Sequence, residues 1–200
     1  MLRTVLFFVL AALASLSVAG CRKEFTPRDY ALDRAPSELR YAAAEAESTI
    51  AFLQRRLGAR LKSELERAGP VVAVAVCRDS AQIMTADVAE QWGIQVGRTS
   101  HRLRNPANAP REWARAYVAA VDSGAKASQV KSILVDLDDR VGVLQPIATA
   151  ALCVQCHGAP DSLSADMKRV LSESYPEDQA IGFAEGDLRG FFWAEAARRT

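Results

Sequence analysis

Cysteine and histidine are scarce in this chain: four of one and two of the other among 200 residues. Four thiols are too few for a disulfide-built scaffold, so each needs its own explanation. An excess of one charge is also missing. Lys and Arg total 25 against 24 acidic residues, which gives no basic face for nucleic acid and no reason to expect a polyanion as partner. There is no internal repeat, no low-complexity tract and no second C-x-x-C. The one long apolar run, Val5 to Leu16, is roughly a dozen residues, short of the about 20 that a membrane-spanning helix needs. What is present is ordinary: half the residues are apolar, enough for one normal core plus an N-terminal extra.

That extra reads as a secretory signal over residues 1–20, with Arg3 as its positive start. Its end, Val18-Ala19-Gly20-Cys21, resembles a bacterial lipobox. Cleavage before Cys21 would free its thiol for a diacylglycerol, and an added N-acyl chain would make the membrane anchor firm. Arg22 follows, rather than the Asp associated with inner-membrane retention, so the expected location is periplasmic and on the outer membrane. Residues 21–36, with Pro27 and Pro36, read as a tether, and 37–198 as the folded domain.

Ser37 is a good helix cap. Leu39, Ala43, Ala46, Ile50, Leu53 and Leu57 then recur at alternating fours and threes, continued by Leu61 and Leu65. This predicts a long amphipathic helix ending near Gly69. Its stripe serves the domain's own core or, over 37–67, a homodimer seam. The next stretch, PVVAVAVCRDSAQIMTADVAEQWG, reads as a helix with Ala73, Cys77, Ala81, Met84 and Val88 on one face. Its Val/Ala start also fits a strand; length and the later Ala, Glu and Gln favour helix. IQVGRTSHRL, 141–151 and EGDLRGFFWAEA read as strands, RNPANAP as a turn-rich loop, and REWARAYVAAVDSG as a helix closed by Gly124. Mixed elements without a β-α-β rhythm predict an α+β fold.

LCVQCHG, residues 152–158, carries the chemistry. Cys153, Cys156 and His157 form C-x-x-C-H, the attachment signature of a c-type haem. On one helical turn, positions i, i+3 and i+4 share a face. Two thiols can thus reach the two vinyl groups of one porphyrin while the imidazole addresses the iron. Gly158 would leave room for the ring edge. A redox dithiol fits less well, since such motifs come early in a β-α-β fold. Structural zinc needs four ligands. The iron's other axial face is open to Cys77, His101, Met84, Met167, a lysine or water. Cys77, flanked by Ala73 and Ala81 on its face, is also readable as an ordinary buried thiol.

Three stretches around this motif, the Cys77 segment, GRTSHRLRNPANAPREW (97–113) and YPEDQAIGFAEGDLRGFFW (175–193), resemble the single-haem c-type domains with a PAS-like fold. The likeness spans about residues 38–195. It implies an antiparallel sheet flanked by helices with one covalent haem held against it, and His157 and Cys77 as the axial pair. His101 departs from that pattern, which has an apolar residue there, so it competes with Cys77 as a ligand. Arg98, Arg102, Arg104 and Arg111 are candidates to meet the haem propionates, Arg98 and Arg104 foremost. Asn105, Pro106, Asn108 and Pro110 shape the turn, and Asp187 and Arg189 are expected to pair.

A thiolate on the iron favours the ferric state and a low potential. Reduction or protonation is expected to loosen it. The function expected is electron transfer or redox response, with an unidentified redox partner protein. The alternative is a gas or redox sensor, which would signal through another protein because no kinase, cyclase or DNA-binding segment is visible. An enzyme such as a peroxidase is not expected, because both axial positions would be filled.

Overall fold

The computed structural model describes residues 27–122 and 124–198. The expected signal, Cys21 and the first part of the tether lie outside them. The fold is α+β. Five strands, β1 (Arg28–Ala31), β2 (Gln95–Thr99), β3 (Ile133–Asp136), β4 (Arg140–Ala148) and β5 (Leu188–Ala197), form one antiparallel sheet in the order β1-β3-β4-β5-β2. Within the stretch read as a tether, residues 28–31 add an edge strand to β3 and Ala35 enters the core.

Helix α1 (Arg40–Ala75) lies across one face of the sheet. Ala42, Ala43, Ala46, Ile50 and Leu53 pack on Val96, Val141, Val143, Phe192, Ala194 and Ala196. This is the predicted stripe, and its alanines let the helix approach closely. Leu61 and Leu65 are only half-buried. At Gly69 the backbone turns out of helical geometry (φ 78°, ψ 176°), and Pro70 restarts the helix. Cys77 then sits in a widened, π-helical turn, Val76–Ser80, before α2 (Ala81–Trp92) ends on left-handed Gly93.

The other face is packed by Leu144, Leu188 and Phe191 against Ala114 and Val118, with Trp113 and Trp193 beside them. Two glycines make room for these indoles. A Cβ on Gly97 would lie 2.6 Å from Trp193, and one on Gly142 2.8 Å from Trp113. The helix expected over 111–124 shrinks to a 3-10 turn, Glu112–Ala114, and α3 (Arg115–Ala119). At its start, the buried Glu195 carboxylate accepts from Trp113 Nε1 (2.8 Å), Arg111 Nε (2.7 Å) and Arg140 Nη1 (3.3 Å), which holds Trp113 against β5. The sequence reading lacked α5 (Ala165–Ser174), although Ser164 caps it by accepting from Met167 N–H (3.1 Å) and Leu163, Met167 and Leu171 recur at helical spacing.

Burial raises the Glu195 pKa, but hydrogen bonds from Arg111 and Trp113 outweigh it and hold the carboxyl below its usual range. The stability this contributes is present above the unfolded value, about pH 4.3, and is lost as pH falls through the lowered native value. Glu195→Gln is therefore expected to cost about 2–3 kcal/mol at pH 7 and to flatten the acid limb of the stability curve, read from urea midpoints. Gly97→Ala is expected to cost about 1–3 kcal/mol by overpacking, checked by the same titration.

Candidate functional site

The C-x-x-C-H motif occupies a single helical turn, α4 (Val154–His157). The Cys153 carbonyl starts it, accepting from Cys156 N–H (3.2 Å) and His157 N–H (2.9 Å). Gly158 closes it: a Cβ there would stand 2.4 Å from the Val154 carbonyl oxygen, so glycine lets the chain leave the turn. Residues 180–183 then run alongside, Gly182 N–H donating to Gly158 O (2.7 Å) and Phe183 N–H to His157 O (2.9 Å).

This second strand of backbone orients the histidine. His157 Nδ1 lies 2.6 Å from the Ala180 carbonyl. A carbonyl can only accept, so Nδ1 carries the proton and Nε2 keeps its lone pair. Burial, then the Arg189 and Arg104 charges, push the His157 pKa well below its usual value. The imidazole is therefore neutral at neutral pH and ready to ligate. Phe183 stands edge-on to it, with ring centroids 6.3 Å apart.

Cys77, Cys153 and Cys156 are free, half-buried thiols. Cys77 lies close enough to Cys156, Tyr175 and Arg98 to act on the ionisation of all three. Burial pushes the Cys156 thiol up to about 11 and the Tyr175 hydroxyl to about 12. Cys156 rests on an apolar wall built from Val74 of α1, Leu163, Met167 and Leu171, and Tyr175. Met167 is core packing there, 2% exposed; Met84 is half-buried on α2. Among the described residues no three His, Cys, Asp or Glu side chains gather as a metal cluster.

Three guanidiniums converge on the turn with a single carboxylate. Arg104 is 8% exposed. It donates to Asp178 (Nε, 2.9 Å), to the Cys156 carbonyl (Nη2, 2.6 Å) and to the Ala180 carbonyl (Nη2, 3.2 Å). Arg98 has no hydrogen bond or ion pair among the described residues, and burial lowers its pKa. Arg189 does not pair with Asp187. It donates to Ser100 Oγ (3.1 Å) and Arg102 O (3.4 Å), and burial with the Arg104 and Arg98 charges lowers its pKa to about 10. Asp187 instead meets Lys126 and the Ala184 N–H, because the loop that precedes β5 turns its carboxylate back on itself. Arg189 is thus a site residue that sequence reasoning placed in an ion pair. The alternation of Asp187 and Arg189 on one strand carried no signal of that.

The other residues of the long string have structural roles. Arg102 lies over Phe183 (4.1 Å) and donates to Gln179 O. Arg111 belongs to Glu195. Asn105 accepts from Ala107 N–H and Asn108 from Gln82, which shapes the turn as expected. His101 lies edge-on to Phe183 (6.1 Å), with Nδ1 buried and unpartnered. It borders a cavity of about 520 Å³ with Arg102, Val118 and Gln179.

Residues 28–195 match the family model Tll0287-like. The chain belongs to the Tll0287-like family. The crystal structure of the cyanobacterial haem protein Tll0287 shares its fold, with a TM-score of 0.57 over 83% of this chain and 99% of that one, at 24% identity. No curated protein matches the chain.

A half-buried cation without an anion destabilises the fold that holds it. Arg98→Met is expected to raise the stability of the ligand-free chain by about 1 kcal/mol, measured by thermal unfolding.

Proposed function

We propose that the chain is a c-type haem protein for electron transfer or redox response, carrying one covalent haem. The observation that carries this reading is the neutral His157, held through Nδ1–H by the Ala180 carbonyl with Nε2 free, one turn from two free thiols. Cys153 and Cys156 would form the thioethers, His157 would be one axial ligand and Cys77 the other.

The charge of the site supports the same cofactor. Arg98, Arg104 and Arg189 face one carboxylate, Asp178, which leaves an excess of two positive charges near the turn. Two propionates would balance it. Arg98, with no partner, and Arg189, with donors to spare, are the better candidates, since Arg104 is engaged with Asp178 and two carbonyls. The apolar wall of Val74, Leu163 and Leu171 suits a porphyrin face. The relative Tll0287 is itself described as a haem protein. The sheet with helices against it agrees with the PAS-like architecture. When bound, the haem supplies one-electron exchange at its iron. The protein's part is to hold the imidazole, exclude water with the apolar wall and favour the ferric state through the Cys77 thiolate. Export and lipidation at Cys21, outside the described residues, would set this chemistry in the periplasm on a membrane anchor.

A second reading, haem-based sensing through a partner protein, draws on the turn that holds Cys77. Its π-helical widening is a local irregularity that a shift of register can relieve, so a ligand carried there can move.

Expression with the haem c maturation machinery is expected to give a covalent c-type pyridine haemochrome; a colourless chain would sink the proposal. Cys77→Ala is expected to abolish the thiolate features of a low-spin ferric spectrum, and His101→Ala to leave them. The reverse pattern would assign the sixth position to His101. Rapid CO binding after reduction would favour sensing over transport.

A further inference from the structure

Residue 180 is gripped at both ends of its backbone. Its N–H donates to Asp178 Oδ1 (2.8 Å). Its carbonyl accepts from His157 Nδ1–H (2.6 Å) and from Arg104 Nη2 (3.2 Å). Arg104 and Asp178 are joined to each other (2.9 Å) and are buried, with side chains 8% and 10% exposed. The same Nη2 also reaches the Cys156 carbonyl (2.6 Å). Arg104 therefore ties the turn that presents His157 to the carbonyl that orients it, and Asp178 stops that peptide from rotating away.

We propose that Arg104 and Asp178 are positioning residues that set the orientation and donor strength of the His157 imidazole, and through it the redox poise of the iron. The inference rests on the haem reading above. Its physical basis is competition for one acceptor. A guanidinium on the Ala180 oxygen withdraws electron density from it. The oxygen then pulls less strongly on the Nδ1 proton, the imidazole keeps less imidazolate character, and the ferric state is stabilised less. Removing the guanidinium from that oxygen strengthens the histidine as a donor and frees the ring to turn.

The test compares Arg104→Lys and Asp178→Asn with wild type in the full-length, haem-loaded protein. Low-spin ferric electron paramagnetic resonance and spectroelectrochemical potential are measured at one pH. Arg104→Lys keeps the charge and loses the fork that holds two carbonyls. It is expected to change the g-values and to raise the ferric-to-ferrous ratio at fixed potential about tenfold, equal to ~59 mV downward for one electron. Asp178→Asn is expected to change the g-values too, while loss of an anion moves its potential up. If charge alone acts, Arg104→Lys leaves potential and g-values as in wild type and Asp178→Asn shifts only the potential; that result overturns the proposal. If Arg104→Lys does not fold, the g-values of Asp178→Asn decide by themselves, a change supporting the proposal and wild-type values overturning it. Wild type without covalent haem would refute the function, not this inference, so the two failures are distinct.

Discussion

The site depends on a buried guanidinium. Arg104 lies in a long connection between β2 and α3, far in sequence from everything it holds: Cys156 on the C-x-x-C-H turn and Asp178 and Ala180 on the segment before β5. Those three pieces share no β-ladder with one another. Backbone bonds from Gly182 and Phe183 align two of them, Gln179 N–H donates to Leu103 O (2.8 Å) of the third, and Arg104 ties that third piece to both. A lysine is a point charge and cannot reproduce this, because three acceptors in different directions require a planar fork. Burial raises the strength of each bond, and Asp178 is the carboxylate that meets Arg104 there.

Around this clamp the protein keeps charge that it does not itself neutralise. Arg98 projects from β2 toward the Cys77 turn without an ion-pair partner, and Arg189 leans on a hydroxyl and a carbonyl rather than a carboxylate. In contrast, Glu195, on the other side of the sheet, is satisfied by three donors. β2 and the loop after it supply both arrangements: Arg98 and Arg104 face the turn that carries the thiols, while Arg111 and Trp113 at the loop's end lock to β5. That division explains why one contiguous string reads as a single motif, though only its first half belongs to the site.

Local chemistry made the main parts of the fold legible. The 3–4 spacing of Leu39 to Leu53 marked α1 and its buried face, Gly69-Pro70 marked the break, and the apolar strands β2, β4 and β5 stood out. Short or long-range features did not. β1 reads as a tether because four residues gain their order only from β3, and no local pattern reveals the buried Glu195 carboxylate that takes up Arg111 and Trp113 at the start of the helix read over 111–124. At the site, the thiols, the imidazole and the clustered arginines were visible by type. Which arginine was free was not, since Arg104 finds Asp178 only across 74 residues of chain, and Asp187, two residues from Arg189, turns to Lys126.

The uncompensated cations also bear on how such a site is kept. A ligand that binds only the folded state adds its binding free energy to stability. A fold that leaves half-buried cations without anions is less stable empty than it would be with apolar residues there, and it gains more when an anionic group arrives. An anionic group bound at Arg98 and Arg189 would couple occupancy to folding, and the neutral His157 and the apolar wall would suit the flat, apolar face of the proposed haem. No single residue selects that combination. It is the coincidence of a free imidazole nitrogen, two thiols and unbalanced positive charge on one turn that narrows the chemistry.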